Sequence, residues 1–241
     1  MKTLRTGILL LAATLSIVLV QAQTADEIVS KHINAVGGKD ILNGIKTIYI
    51  ESSFDIMGNE APSTTYIVNG KGYKSVVNFN GTEIIQCITD KGGWAINPMT
   101  GQATATALPD DQVKAAQSQL EAGGPLYNYA AKGNKVELIG KDTTGGKNQY
   151  KLQLTSKEGN AVVTYFIDAN NYYINKAISK VTVSGQDAET TATFSDYKKT
   201  DFGYVMAYSQ QLVLPQITLN ITHKKIEINK TIDPTIFDMP K

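Results

Sequence analysis

The sequence predicts a mainly β fold with few helices, in which one large antiparallel sheet curls around its helices. Strand-like segments separated by tight turns fill residues 45–228, and a single helical stretch near residues 109–122 interrupts them. A second helix precedes this run. Two helices cannot cover both faces of so large a sheet, so we expect the sheet to curl around them and form a container.

Residues 1–22 have the pattern of a secretory signal peptide. Lys2 and Arg5 precede a run of 13 apolar or small residues, 8–20, and Ala22 stands at the cleavage position. As a helix the run would be only about 20 Å long, whereas the hydrocarbon layer of a bilayer is about 30 Å thick. We therefore expect cleavage near Ala22 and a soluble periplasmic or secreted protein, with residues 23–241 forming a single domain and no stable membrane insertion.

Composition and charge argue against several kinds of partner. Without residues 1–22 the chain keeps 21 Lys against 22 acidic residues, a net charge of −1, and it has no Arg. A near-neutral chain argues against a nucleic acid held by a basic patch. The lack of Arg excludes bidentate recognition of phosphate or carboxylate by a guanidinium. Cys87 is the only cysteine, so an intramolecular disulfide is excluded.

The expected mature chain begins with a helix. Thr24 and Glu27 have the spacing of a capping box, in which each side chain bonds a backbone N–H of the first turn. Gly37 and Gly38 supply a left-handed stop. Between these signals one apolar stripe has helical spacing and requires an apolar surface to pack on: Ile28, Val29, Ile33 and Val36.

The strand pattern starts at residue 48 and continues as a meander. Residues 48–56 alternate apolar and polar side chains, which is typical of a half-buried strand. The pairs Asn69-Gly70 and Asn80-Gly81 predict hairpins with type I′ turns, because Asn and Gly accept positive φ. Regular spacing between later turns favours one continuous antiparallel array.

The last long strand changes phase. Ile217, Leu219 and Ile221 share one face by parity, whereas Ile226 and Ile228 fall on the other. A β-bulge near residues 223–225 would restore the phase and bend the strand.

Residues 98–133 interrupt the meander. Pro109 and the acidic pair Asp110-Asp111 are typical of a helix start. We expect the segments on both sides of this helix to be flexible, and the one that precedes it, residues 98–108, carries no charge. The helix has a narrow apolar face formed by Val113, Ala116 and Leu120. Two interpretations remain open: a mobile lid over the mouth of the sheet, or a helix that permanently fills the core.

Short motifs at both ends of the expected mature chain resemble a known family. They are residues 25–28 (Ala-Asp-Glu-Ile), the glycine pair 37–38, residues 45–48 (Ile-Lys-Thr-Ile) and residues 232–237 (Ile-Asp-Pro-Thr-Ile-Phe). With the meander and the helical interruption, they resemble the periplasmic outer-membrane lipoprotein-sorting proteins of the LolA/LolB-like superfamily.

The resemblance implies an incomplete antiparallel β-barrel, or half-barrel, wrapped over a helical plug or lid. It also implies an apolar cavity that holds acyl chains, and a terminal segment that tucks back against the sheet. One feature differs: the lipoprotein carrier closes its lid with an Arg on an early strand, and residues 45–79 contain none. Lys71 and Lys74 are the nearest cations, and an ammonium does not reproduce the forked hydrogen bonds of Arg.

A ligand cavity would be lined by the inward side chains of the strands, although the same alternation is needed merely to seat a helix on a sheet. The predicted lining consists of Ile48, Ile50, Phe54, Ile56, Tyr66, Val68, Val77, Phe79, Trp94, Ile96, Leu152, Leu154, Tyr204, Met206, Tyr208 and Leu212.

No pattern of residues indicates catalysis, a metal or a cofactor. His32 and His223 are the only histidines, and neither has a ligand spacing for zinc. His32 is expected to be a packed or surface residue. His223 either points into the cavity or is a polar residue at the bulge. Cys87 reads as a small buried thiol. We therefore expect a protein that is not an enzyme and binds no cofactor.

Two functions remain open. The first is a carrier or binding protein for lipids or lipoprotein acyl chains, with a membrane-associated donor or acceptor protein as a further partner. The second is an exported non-enzymatic β-module that binds another envelope or secreted protein. An open apolar cavity favours the first function, and an exposed patch or unpaired edge strand favours the second.

Overall fold

The computed structural model describes residues 23–56, 58–157, 161–183, 186–215 and 217–240. The predicted signal peptide, residues 1–22, lies outside this part of the chain. Among the described residues, no helix is both long and apolar enough to cross a membrane.

The described residues form three α-helices and thirteen strands, joined by turns and short 3-10 segments. In chain order they are α1 (Ala25–Ala35), α2 (Lys39–Gly44), β1 (Thr47–Ile56), β2 (Asn59–Val68), β3 (Gly72–Phe79), β4 (Thr82–Thr89), β5 (Gly92–Asn97), β6 (Gln102–Ala107), α3 (Asp110–Ala116), β7 (Lys135–Asp142), β8 (Gln149–Thr155), β9 (Ala161–Asp168), β10 (Ile174–Val183), β11 (Gln186–Lys199), β12 (Val205–Val213) and β13 (Thr218–Ile228).

Helix α1 begins with the predicted capping box. The Glu27 amide donates to Thr24 Oγ1 at 3.2 Å, and the Thr24 amide donates to Glu27 Oε2 at 3.1 Å. The helix stops before Gly37 and Gly38, which have φ of +132° and +86°. Both values are costly for a residue with a Cβ, so this glycine pair ends α1 and lets α2 follow directly.

All thirteen strands belong to one antiparallel sheet that does not close. The strand order is β6-β5-β4-β3-β2-β1-β13-β12-β11-β10-β9-β8-β7. Strands β6 and β7 are the two edges, and within the described residues they do not pair with each other. Except for the pairing of β1 with β13, every neighbour in the sheet is also a neighbour along the chain.

The sheet curls strongly. Strands β1 and β8 are six steps apart, which would separate them by about 29 Å in a flat sheet. Nevertheless Ile48 of β1 and Leu152 of β8 belong to the same buried cluster around α1. We call the face that carries these two side chains the inner face, and the opposite one the outer face. The predicted mainly β fold, an incomplete antiparallel barrel over helices, is confirmed.

Two segments cover the inner face. Helix α1 packs its predicted apolar stripe against β1 and β8–β10, and Ile28 is fully buried there. Residues 108–134 connect edge strand β6 to the opposite edge strand β7 and so cross the open side of the sheet. We call them the crossover segment. Its Leu120, Ala122 and Leu126 are buried.

The predicted bulge lies in β13. Glu51 pairs with Lys225 but Ser52 pairs with His223, so Lys224 is the extra residue. After this shift Ile226 and Ile228 oppose Ile50 and Ile48, and Ile221 opposes Phe54, as a continuous inner face requires.

Three local expectations are wrong. The uncharged stretch before the helix is not a flexible flank: it forms edge strand β6, which pairs Ala107 with Trp94 of β5. The hairpin at Asn69-Gly70 is not type I′, because φ is +70° at Gly70 but negative at Asn69. Asn80-Gly81 does have positive φ at both residues, +53° and +81°, as predicted. The predicted helix 109–122 is also shorter: α3 ends at Ala116 and continues only as a 3-10 turn, Gln117–Leu120.

Candidate functional site

Two cavities lie between the crossover segment and the inner face of the sheet, on either side of Pro125, which lines both. One has a volume of about 210 Å³ and lies against α1 and strands β10–β13. The other has a volume of about 270 Å³ and lies between α3 and strands β8 and β9. Each is smaller than the roughly 300–1,000 Å³ of an ordinary ligand pocket.

The cavity beside α1 carries no Asp, Glu or Lys, and we call it the apolar cavity. Its lining comprises Val36, Gly123, Gly124, Pro125, Leu126, Ile174, Phe194, Tyr197, Tyr204, Met206 and Ala207, with His32, Gln210 and His223 as the polar members. Leu126 of the crossover segment is 2% exposed, so its side chain points inward and forms part of the cavity wall.

Both histidines of the chain line the apolar cavity. His32 Nδ1 donates to the carbonyl oxygen of Tyr172 at 2.9 Å, and His223 Nδ1 lies 2.8 Å from Ser52 Oγ. Burial lowers the pKa of both imidazoles, only partly opposed at His32 by its backbone hydrogen bond. At neutral pH the two rings are therefore uncharged, and so is the cavity lining.

The second cavity is bordered by lysines, and we call it the lysine cavity. Lys114, Lys132 and Lys157 line it together with one acid, Glu121, above a floor that contains Leu154. Lys132 Nζ contacts Glu121 Oε2 at 2.6 Å and also donates to the Gly124 carbonyl at 3.4 Å. These residues come from α3, from the crossover segment and from the turn after β8. No local sequence pattern links them, so they could not be found from the sequence.

The narrow apolar face of the predicted lid helix packs on the part of the sheet formed by strands β3–β5. Val113 and Leu120 are 7% and 3% exposed and contact Ile88, and Ala116 and Tyr73 border the same cluster. Burial raises the pKa of Tyr73, in keeping with an apolar environment. The crossover segment is thus seated through a small number of apolar side chains.

Hydrogen bonds from the β2–β3 turn hold the middle of the crossover segment. The Gly70 amide donates to the Leu120 carbonyl at 2.8 Å, and the Ala122 amide donates to Asn69 Oδ1 at 3.1 Å. Asn69 Nδ2 also donates to the Ile45 carbonyl at 3.3 Å. Asn69 therefore ties the segment to Ile45, between α2 and β1, at a place where the sequence indicated only a turn.

The far end of the crossover segment is tied to the helices. The Tyr127 hydroxyl donates to Asn43 of α2, and the Tyr129 hydroxyl donates to Asp26 of α1. The hydrogen bond from Tyr129 to the carboxylate, with burial, raises the pKa of Tyr129 to about 12.

Most of the predicted lining lies on the inner face. Register places the following side chains there: Ile48, Ile50, Phe54, Val77, Phe79, Leu152, Leu154 and Leu212. Leu154 borders the lysine cavity, and Tyr204 and Met206 border the apolar cavity. Ile56 ends β1, and its side chain lies outside the described part of the structure. That these residues contact a ligand stays a prediction.

Four predicted lining residues are on the wrong face. Cross-strand pairing joins Tyr49, Tyr66, Lys74, Cys87 and Trp94 in one row on the outer face. Val68 and Ile96 have the same parity as Tyr66 and Trp94 and lie on this face too. Tyr208 has the same parity as Leu212 on β12 but lines neither cavity, and its ring centroid lies 4.9 Å from Nζ of the exposed Lys198. Parity within a strand does not fix the face of the next strand, which depends on the turn between them.

The outer row binds the C-terminal segment, as the resemblance implied. Trp94 Nε1 donates to the Phe237 carbonyl at 2.9 Å, and Lys74 Nζ donates to the Ile236 carbonyl at 2.9 Å. Lys74 is therefore occupied on the outer face and does not replace the Arg that closes the lid of the lipoprotein carrier. Cys87 is buried beneath Phe237, and burial raises its pKa to about 11, so the thiol is unreactive at neutral pH.

No family model matches the sequence, and neither does the sequence of any curated protein. Solved structures do match the fold. A LolA superfamily protein from Nitrosomonas europaea is 11% identical with a TM-score of 0.58, over 90% of this chain and 98% of that one. A DUF1329 family protein from Desulfovibrio piger is 13% identical with a TM-score of 0.59, over 90% and 98%.

A third structure points to the same architecture. It is an outer membrane lipoprotein-sorting protein domain from Vibrio parahaemolyticus, 13% identical with a TM-score of 0.56, over 89% of this chain and 97% of that one. Identities this low establish the fold alone. The chain therefore has the fold of the LolA superfamily, which the motifs at the two ends of its sequence predicted.

Proposed function

We propose that the protein binds acyl chains of a lipid or an acylated lipoprotein, without covalent chemistry, in the cavities beneath the crossover segment. The crossover segment is the lid of this site. The protein acts as a periplasmic or secreted carrier after cleavage of its signal peptide near Ala22. It exchanges its ligand with a membrane-associated donor or acceptor protein.

The apolar cavity is the observation that carries this proposal. Its walls are aliphatic and aromatic, its two histidines are neutral, and it holds no charged side chain. Each methylene group transferred from water into such a space contributes about 0.8 kcal/mol. An acyl chain therefore needs no specific polar contact to bind there, and ten methylenes would contribute about 8 kcal/mol.

The cost of opening the lid is of the same order as this gain. Exposure of Val113 and Leu120, which contact Ile88, and of Leu126, which is buried beside the apolar cavity, costs about 1.5–3 kcal/mol each. The burial of an acyl chain would offset most of this cost. Displacement of the lid would join the two small cavities, which lie on either side of Pro125.

Filling the apolar cavity tests the proposal. Ala207 lines it, and the Ala207→Phe variant replaces a small side chain by a large one in the space meant for the ligand. Thr222→Phe is the matched control, because Thr222 is exposed on β13. Native mass spectrometry on protein purified without detergent, followed by organic extraction, measures the bound lipid. We expect an acyl adduct in the wild type and the control, and its loss in Ala207→Phe.

A clean apoprotein mass that acquires no adduct with added phospholipid or lipopeptide would refute the carrier function. An adduct that persists at wild-type occupancy in Ala207→Phe, with an unchanged unfolding midpoint, would place the ligand elsewhere.

Protein binding through a sheet edge is the second candidate function, and one contrast favours it. Edge strand β6 has the sequence Gln-Ala-Thr-Ala-Thr-Ala, carries no charge and is almost entirely exposed. Edge strand β7 carries Lys135, Glu137, Lys141 and Asp142 and has a register irregularity, features that protect an edge. Strand β6 could therefore add an extended segment of another protein to the sheet.

A lysine introduced into each edge strand in turn tests which of the two edges binds a partner. Ala105→Lys alters β6, and Ile139→Lys is the matched change on β7, where Ile139 is 46% exposed. Capture of periplasmic proteins on immobilised wild type should yield a partner that Ala105→Lys loses and Ile139→Lys retains. Equal capture by all three proteins would exclude this edge as the binding surface.

A further inference from the structure

The two cavities differ in charge, and the difference is local. The apolar cavity is lined by no charged residue, whereas the lysine cavity has three lysines and one glutamate on its border. Residues 23–241 carry a net charge of −1. The excess of positive charge at the lysine cavity is therefore not a reflection of a basic protein.

Within the described part of the chain, an ion pair joins one of these three lysines to an acid. Lys132 forms its ion pair with Glu121 at 2.6 Å, with the two side chains only 28% and 27% exposed. The ion pairs formed by the described residues do not include Lys114 or Lys157. The border of the cavity thus carries two further ammonium groups, Lys114 and Lys157, both of them exposed.

The two ammonium groups stand above an apolar floor. Leu154, Val163 and Tyr165 form this floor, and burial strongly raises the pKa of Tyr165, so that it stays a neutral phenol. The stem of Lys157 lies against Gly133, where an added Cβ would come within 3.0 Å of its Cδ. This packing holds the stem of Lys157 at the border of the cavity, and its ammonium group is exposed to solvent.

The two cavities together match an amphiphile, because one is bordered by charged side chains and the other is apolar. Pro125 borders both, so a ligand that displaces the lid passes from the lysine cavity into the apolar cavity without leaving the inner face. A charged head group left in the apolar cavity would be desolvated without a counter-ion, which is strongly unfavourable. At the lysine cavity it would face Lys114 and Lys157.

We propose that the ligand is an anionic amphiphile, whose carboxylate or phosphate head group binds Lys114 and Lys157 while its acyl chain occupies the apolar cavity. This inference rests on the proposed function and narrows it to a ligand class. Because both cations are lysines, they act as point charges and do not impose the planar fork that an arginine would. Carboxylates and phosphates are therefore both accepted.

Ligands with one acyl chain and different head groups test this proposal. Oleate has a carboxylate, oleoyl lysophosphatidic acid has a phosphate, and monoolein is neutral. Their affinities are measured by displacement of a neutral fluorescent acyl probe at low ionic strength. The proteins are the wild type, the double variant Lys114→Gln/Lys157→Gln, and the control Lys46→Gln/Lys199→Gln. The control removes two exposed lysines that border neither cavity.

We expect the wild type and the control to prefer both anionic ligands to monoolein. An exposed ion pair contributes up to about 1 kcal/mol, so each lysine accounts for up to about a fivefold preference and the pair for up to about 25-fold. The double variant should lose this preference and bind monoolein as the wild type does. Added salt should weaken the preference in the wild type.

The outcomes separate the two proposals. Equal affinity of the wild type for monoolein and the anionic ligands would overturn the head-group inference and leave acyl binding intact, as would a preference that persists in the double variant. Binding of none of the three ligands would overturn the proposed function and the inference together. A preference for only one anionic ligand that the double variant loses would assign the natural head group to that chemistry.

Discussion

Asn69 holds Ala122 in place across the mouth of the sheet. Its Oδ1 accepts a hydrogen bond from the Ala122 amide at 3.1 Å, and its Nδ2 donates to the Ile45 carbonyl, so one side chain links the crossover segment to the connection between α2 and β1. Ala122 is only 4% exposed, and its N–H has no access to bulk water in place of this bond.

Replacement of Asn69 should loosen the crossover segment. Asn69→Ala leaves the buried Ala122 amide without an acceptor, which costs about 1–3 kcal/mol. Asn69→Asp keeps the acceptor and loses only the bond to the Ile45 carbonyl, so it should cost less. Urea unfolding measures the change in stability, and hydrogen exchange should accelerate around residues 117–126 in Asn69→Ala. Equal exchange rates in both variants and the wild type would contradict the role of Asn69 as a tether.

Gly72 is needed for the C-terminal segment to dock. A methyl group on Gly72 would lie 2.9 Å from Cδ1 and Cε1 of the Phe237 ring. Gly72→Ala should therefore displace Phe237, break its hydrogen bond to Trp94 and destabilise the fold by about 1–3 kcal/mol. Trp94 is the only tryptophan, and its emission should shift to longer wavelength.

The Phe237→Ala background provides the control for Gly72. Without the ring, the same Gly72→Ala change should cost little, because the clash no longer exists. The coupling between the two changes is measured as a double-mutant cycle. Additive effects would show that Gly72 is not paired with Phe237.

Stability should fall as the pH drops below about 6.5, the ordinary pKa of histidine. Burial lowers the pKa of His32 and His223 in the folded protein, so the unfolded chain binds protons in a range where the folded chain does not. This contribution to stability is fully present at a pH above the histidine pKa of the unfolded chain. It is lost as the pH falls through the lower pKa of the folded protein. The carboxyl groups with lowered pKa, such as Asp142 and Asp233, titrate below this range.

Urea midpoints at pH 7.5 and pH 5.5 measure this effect. The double variant His32→Asn/His223→Asn should show a smaller drop between the two pH values than the wild type. An unchanged drop would show that other groups cause the acid sensitivity.

The capping box of α1 should contribute measurably to stability. Thr24→Ala removes the acceptor for the Glu27 amide and should cost about 1 kcal/mol, whereas Thr24→Ser should be nearly neutral because serine caps equally well. Thermal unfolding of the three proteins checks this order. A loss as large in the serine variant as in the alanine variant would contradict capping as the cause.

The elements that depend on local signals could be predicted from the sequence. Residues close together in the sequence determine four of these features: the cap at Thr24, the glycine pair that ends α1, the Asn80-Gly81 turn and the bulge before Lys225. Strand β6 was missed because alternating Ala and Thr differ little in polarity, so the period of two carries no signal. Only its pairing with β5 makes it a strand.

The candidate site depends on distant residues and could be predicted only in outline. Tyr66 and Trp94 were placed on the wrong face because parity was carried across hairpins whose registers are set by their turns. His32 and His223 are far apart in sequence, and the curl of the sheet brings them to one cavity. Lys114 and Lys157 border one cavity for the same reason.

The strand order also constrains how the chain can fold. Strands β1–β6 and β7–β13 are two arrays of consecutive hairpins, and the pairing of β1 with β13 joins them as the single long-range seam of the sheet. Each array can form early through contacts close in sequence, whereas the seam closes a loop of most of the chain and should form late. Until β13 has been synthesised, β1 presents an open edge. A nascent chain therefore cannot complete its sheet until residues 218–228 have been synthesised.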